Sequence, residues 1–160
     1  DLWPDNVEAA SSLIDVYWED KNWPRAEPLL ALLIENSDRS NSTHLHALHY
    51  RAGVCAEQLQ KLDKALGHYR HAYELDSTHL PTLKSMGSLL TTREEWDRAF
   101  KIFQTLLVHH RDHLSEEEIA QVFYQQGKIK LEVNEKRKAL DFFRKSNMGC
   151  IINLCRICIW

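Results

Sequence analysis

Turn-forming residues are scarce in this chain: five glycines and four prolines among 160 residues. That leaves little material for the many tight turns of an all-β architecture. Valine and isoleucine are also outnumbered by leucine and alanine. Both features favour helices over sheets. No apolar run approaches the ~20 residues needed to span a bilayer, so no membrane association is expected. No signal peptide is visible. The first residue is Asp1 rather than Met, which reads as a piece of a longer chain. Cysteine is sparse: Cys55 stands alone, and Cys150, Cys155 and Cys158 crowd the C-terminus. Such a distribution offers no spread-out disulfide framework and favours a reducing, cytoplasmic compartment. Excess positive charge is missing too. The net charge is −3, which gives no general attraction to nucleic acid or to an anionic membrane.

What is present is ordinary in amount and unusual in order. The chain is 44% hydrophobic and 27% charged, a normal balance for a globular protein with one substantial core. Four segments repeat one pattern: "NWPRAEPLLALL", "KLDKALGHYRHAYELD", "EWDRAFKIFQTLL" and "EKRKALDFFRKS". Their alanines are Ala26, Ala65, Ala99 and Ala139, spaced by 39, 34 and 40 residues. Twelve residues before each lie Ile14, Gly53, Gly87 and Gly127, so three of the five glycines share one register. Four residues after each come Leu30, Tyr69, Phe103 and Phe143, and seven after come Leu33, Ala72, Leu106 and Ser146.

The spacing describes pairs of helices. Twelve residues carry the chain from the middle of one helix, through a short turn, to the start of the next. The alanine and the residues four and seven beyond it fall on one face of that second helix. A mid-helix glycine costs about 1 kcal/mol relative to alanine. Its return at a fixed place predicts close approach by a neighbouring helix, and the alanine reads the same way. In repeat one, Pro24 suits a first helical turn. Trp23 and Trp96 share the position three before the alanine, where an apolar side chain can plug the turn between the helices. "HLSEEEIAQVFYQQG" carries Ser115 followed three later by Glu118, a capping-box signature, which predicts a lengthened first helix in the last repeat. "NSDRSNSTHLH" reads as a polar loop before repeat two.

This pattern resembles the tetratricopeptide repeat, a 34-residue helix–turn–helix unit. The resemblance covers nearly 150 residues. It implies an all-α, right-handed superhelical solenoid of antiparallel helix pairs over residues 1–149, with repeats at about 7–40, 46–79, 80–113 and 120–149. An apolar, Cys-containing tail, 150–160, would begin a further helix or mark a truncated or partner-buried end. Departures from the family pattern are Ile14 for glycine, Ser77 and Arg111 for the usual helix-ending proline, and bulky Leu33 and Leu106 seven after the alanine.

The resemblance further implies that the first helix of each pair lines a concave groove. The residues there not needed for packing would be Asp15 and Trp18, then Tyr50, Arg51 and Val54, then Lys84 and Ser88, then Tyr124, Gln125 and Lys128. Tyrosines of this kind anchor interfaces. Some members of the family grip a chaperone's C-terminal carboxylate with a set of Lys, Asn and Arg. The matching positions here hold Tyr50, Val54, Ser85, Gln121 and Gln125, or, one repeat earlier, Ser11, Asp15, Arg51, Pro81 and Ser85. Neither frame carries the clamp, and no such activity is expected.

Nine histidines raise the question of a metal. His46 and His49, and likewise His68 and His71, sit one helical turn apart, and His109, His110 and His113 gather near a helix end. Two histidines on one turn supply half a structural zinc site, so surface histidines are the expected reading and no metal or other cofactor is predicted. Cys155 and Cys158 form a lone CxxC with no second pair. No nucleophile–base constellation, phosphate-binding loop or metalloprotease motif is readable, so no catalytic residue is assigned. The expected function is a non-catalytic scaffold that binds a peptide or partner protein. The alternative is a regulatory or structural repeat segment of a larger enzyme or of a secretion or assembly machine.

Overall fold

A computed structural model describes residues 4–40 and 44–146; the apolar tail with its three cysteines lies outside the described residues. These residues form eight α-helices, α1 Pro4–Glu19, α2 Trp23–Ser40, α3 Leu45–Gln58, α4 Leu62–Leu75, α5 Leu80–Thr92, α6 Trp96–His110, α7 Glu116–Glu132 and α8 Lys136–Lys145, with a 3₁₀ turn at Arg111–His113. There is no strand among the described residues. The chain divides into two compact units, residues 1–85 and 86–160.

The four recurring alanines begin the second helix of each pair, and one turn geometry repeats in front of all of them. Lys21, Gln60, Glu94 and Asn134 each lie five residues before the alanine and adopt φ of 53°, 59°, 60° and 61°. The next residues, Asn22, Lys61, Glu95 and Glu135, donate their amides to carbonyls five back, on Tyr17, Ala56, Leu90 and Lys130, at 2.8–3.0 Å. The left-handed residues donate three back, to Trp18, Glu57, Thr91 and Leu131. This bond pair is the Schellman ending of a helix. The same Asn22, Lys61, Glu95 and Glu135 then accept, on their own carbonyls, the amides of Ala26, Ala65, Ala99 and Ala139. One residue therefore closes the first helix and opens the second. Glycine, which normally takes the left-handed place, occupies it in none of the four. Gln60→Gly is expected to raise stability by about 0.5–1 kcal/mol: release of left-handed strain outweighs the added freedom of the unfolded chain. A denaturant midpoint at or below that of the parent would contradict this.

The glycines answer the question raised by their spacing. A methyl group placed on Gly53 would lie 2.5 Å from the Tyr69 ring. On Gly87 it would lie 2.8 Å from Phe103, and on Gly127 2.6 Å from Phe143. In each pair the aromatic ring four residues beyond the alanine occupies the space a side chain at the glycine would need. Repeat one fills the same place with Ile14 and Leu30, both fully buried in one cluster with Ala26 and Leu33. A branched residue on one helix and a smaller one on the other conserve the volume that glycine plus an aromatic ring supply elsewhere, the kind of exchange cores tolerate best.

Helix lengths follow their ends. Ser115 Oγ accepts from the Glu118 amide at 3.2 Å, and the Glu118 carboxylate accepts from the Ser115 amide at 2.9 Å. This reciprocal cap starts α7 at Glu116, four residues ahead of the 120 boundary read from the repeat alone, and gives the lengthening predicted for that helix. The polar loop expected from Asn36 is corrected at its start: α2 runs on through Ser40. Asn36 to Ser40 contain no glycine or proline to stop the helix, and buried Leu33 and Ile34 hold the preceding turn against the core.

Candidate functional site

Of the ten residues expected to line a groove, six fall in the first unit and four in the second. In the first unit three come together. The Arg51 Nη2 on α3 donates to the Asp15 Oδ1 on α1 at 2.7 Å. The same guanidinium lies over the Trp18 ring, 4.8 Å from its centroid. Trp18 is fixed in turn by an edge-on contact with Trp23, centroids 5.0 Å apart. One turn on α1 separates Asp15 from Trp18, so the ion pair and the cation–π contact share one arginine across the two first helices. The Asp15 side chain is 62% exposed and that of Arg51 27%. An exposed pair of this kind adds about 0–1 kcal/mol to stability, which leaves its groups open to exchange partners with a ligand.

Tyr50, one residue before Arg51, is half-buried. Its ring tilts over Tyr69 at 6.2 Å and meets His79 edge-on at 5.3 Å. Tyr124 on α7 holds the same register in its repeat and tilts over Phe143 at 5.7 Å. Both tyrosines thus rest on the aromatic side chain that faces the glycine. Val54 and Gln125 are half-buried, and Lys84, Ser88 and Lys128 are exposed. Tyr69 itself is wholly buried, and its hydroxyl donates to the Glu57 Oε2 at 2.6 Å. Burial first, and then that bond, push the phenol well above its usual range.

Two features of the first unit were not read from the sequence. The Glu27 carboxylate on α2 accepts from Lys61 at 2.6 Å and Lys64 at 2.7 Å, both from the following repeat. Its bonds to Lys61 and then Lys64 hold it below the ordinary carboxylate range. Beside it, the His49 Nδ1 and His68 Nδ1 lie 3.2 Å apart across α3 and α4, and the His71 ring is 5.2 Å from that of His49. Glu27, Ile34, Ala52, Lys64 and His68 line a notch of about 260 Å³. Helical spacing groups His68 with His71. The contact between His49 and His68 becomes legible only once the repeat brings the two helices together. Among the described residues no group of three or more His, Cys, Asp or Glu is placed to hold a metal ion. Cys55 is buried and its thiol contacts the Trp23 carbonyl at 3.2 Å; burial pushes the thiol up, away from the reactive thiolate.

No family model matches the chain, and no curated protein does. Solved structures do. A tetratricopeptide repeat protein from Parabacteroides merdae superimposes on 87% of this chain with a TM-score of 0.75 at 20% identity. The fold is that of a tetratricopeptide repeat protein. BtubC from P. vanneervenii matches 96% of the chain, and 67% of its own length, with a TM-score of 0.74 at 18% identity. MamA from Desulfovibrio magneticus RS-1 matches 91% of this chain and 76% of its own at 12% identity and a TM-score of 0.73. The chain spans about half, 51%, of the Parabacteroides protein. The glycine–aromatic pairs and the turns with one left-handed residue each recur through the described residues. No described helix is long and apolar enough to cross a membrane.

Proposed function

We propose that the chain is a non-catalytic interaction module that binds a peptide or partner protein on the face carried by the first helix of its repeats. The observation that carries this reading is the cluster of Asp15, Arg51 and Trp18. A permanently charged guanidinium lies over an indole ring and is tied to an exposed carboxylate. Arg and Trp are the residue types that dominate binding energy at interfaces, and the planar guanidinium matches a carboxylate in two-point geometry. A ligand acid can take the place of Asp15 while an apolar neighbour lies on Trp18. The partner expected is therefore a segment with an acidic residue beside an apolar one. Tyr50 and Val54 extend the same face on α3. Lys84 and Ser88 on α5, and Tyr124, Gln125 and Lys128 on α7, are proposed contact residues of the same kind.

The test is quantitative affinity purification with the parent and with Trp18→Ala/Arg51→Ala as baits. Partners that depend on this cluster should fall about tenfold or more, as loss of two central contacts implies, while the thermal midpoint moves by no more than a few degrees. An unchanged partner set recovered by a folded double variant would remove the site from this face.

A further inference from the structure

The first helix carries an apolar stripe that the other repeats keep covered. Relative to the glycine register, the residues one before and two after it are Ala52 and Cys55 in α3, Met86 and Leu89 in α5, and Gln126 and Ile129 in α7. All six are between 0 and 7% exposed. The same two positions in α1 are Leu13, 41% exposed, and Val16, 52% exposed. Ala9, one turn earlier on that side, is exposed as well. Exposure therefore separates α1 from three structurally equivalent helices at positions that are apolar in nearly every repeat.

What belongs there follows from what covers α3. Ala52 and Cys55 lie in one cluster with Leu30, Leu33 and Ile34 of α2, a helix that presents apolar residues at i, i+3 and i+4. The covering object in this register is thus a helix with a narrow apolar stripe. Charge specifies its rim. α1 contains no Lys or Arg. Glu8 and Glu19, both exposed, lie with Ser12 between them along the side of the helix next to Leu13 and Val16. Basic residues flanking the partner's stripe would face them.

We propose that the face of Leu13 and Val16 on α1 is a second interaction surface. It docks an amphipathic helix of a partner protein, with apolar residues at i, i+3 or i+4 and i+7 flanked by Lys or Arg. This surface is distinct from the Arg51 cluster, which faces α3.

The experiment titrates the full chain with a synthetic helical peptide of about 18 residues carrying leucines at that spacing and flanking lysines. Two control peptides replace the leucines by serine or the lysines by glutamate. Saturable one-to-one binding by the Leu/Lys peptide is expected, weakened about tenfold or more by Leu13→Ser/Val16→Ser and by either change in the peptide. Trp18→Ala/Arg51→Ala should bind the peptide as the parent does, so a failed Arg51 site and a failed α1 face give different results. Both substituted positions are exposed, and the variant's helical circular dichroism and thermal midpoint should match the parent's. Absence of saturable binding, or binding that the double variant keeps, overturns the proposal. So does a concentration-dependent dimer of the parent that Leu13→Ser/Val16→Ser dissolves, which would assign the face to a second copy of the chain.

Discussion

Gly53→Ala lowers the stability of the protein by about 1–3 kcal/mol, whereas Gly67→Ala raises it by up to about 1 kcal/mol. Both are the same chemical change in the middle of a helix, in two helices of one pair. In an open helix the added methyl is favourable, because alanine restricts the unfolded backbone and propagates the helix better. Gly67 is open: nothing lies within 4 Å of the position a methyl would take. Gly53 is not. The methyl would stand 2.5 Å from two ring carbons of Tyr69. That ring is fully buried and its hydroxyl is tied to Glu57, so it cannot swing aside as an exposed chain end would. Relief requires α3 and α4 to separate, with loss of contact along the pair. Gly127→Ala and Gly87→Ala, at 2.6 and 2.8 Å from Phe143 and Phe103, should follow in that order. The size of the loss is checked by urea unfolding of each variant. Gly87→Ala/Phe103→Leu should recover part of the loss, because it approaches the pairing of Ile14 with Leu30 that repeat one already uses. A Gly53→Ala protein as stable as the parent would mean that close backbone contact is not what the repeated glycine secures.

These positions also show how much of the structure the sequence discloses. The glycine, the alanine and the aromatic residue were legible because each occupies its place for a steric reason that admits few alternatives. The α7 cap was legible because Ser115 and Glu118 satisfy each other's backbone groups locally. The turns were not. Lys21, Gln60, Glu94 and Asn134 share a left-handed backbone, yet of the four only asparagine is a residue type that signals it. The conformation is imposed by the two helices on either side and not by the residue itself. The overrun of α2 through Ser40 has the same character: polar residues read as loop when tertiary anchoring by Leu33 and Ile34 is out of view.

For the residues expected to line a groove, the sequence discloses their types and not their partners. Arg51 and Asp15 are 36 residues apart in the chain, and only the stacking of repeat two on repeat one brings them to 2.7 Å. The Tyr50 ring rests on Tyr69 and His79, because the position three before the glycine points toward the same aromatic residue that the glycine accommodates. A surface read from helical spacing alone cannot distinguish these two situations, since both tyrosine and arginine there lie on the same helix.

Acid should loosen the first unit well before ordinary carboxylates titrate. Burial of the His68 ring, then the proximity of His49, Lys64 and His71, lower its pKa from 6.5 to about 4, with Glu27 opposing. These groups come from all the elements around the ring: Glu27 from α2, His49 from α3, and Lys64 and His71 from α4. The 3.2 Å between the Nδ1 atoms of His49 and His68 permits one N–H and one bare nitrogen, and a proton on both would set two donors against each other. The sign follows from proton binding. Between pH 6.5 and about 4 the unfolded chain holds a proton on this imidazole that the folded chain does not. Stability is therefore fully present above pH 6.5 and falls as the pH drops toward 4. The limiting slope is about 1.4 kcal/mol per pH unit. Because the ring is only half-buried, solvent screening brings the total to about 1–2 kcal/mol. Glu27, Asp76 and Glu95 are also held below the ordinary carboxylate range, but their contribution is lost only below about pH 4.5, so a comparison of pH 7 with pH 5 isolates the histidine. His68→Gln keeps a group able to bond His49 and removes the titration. Its urea midpoint should change little between pH 7 and pH 5, where that of the parent falls. Equal acid sensitivity in the two proteins would show that the imidazole pair is not the group that senses the proton.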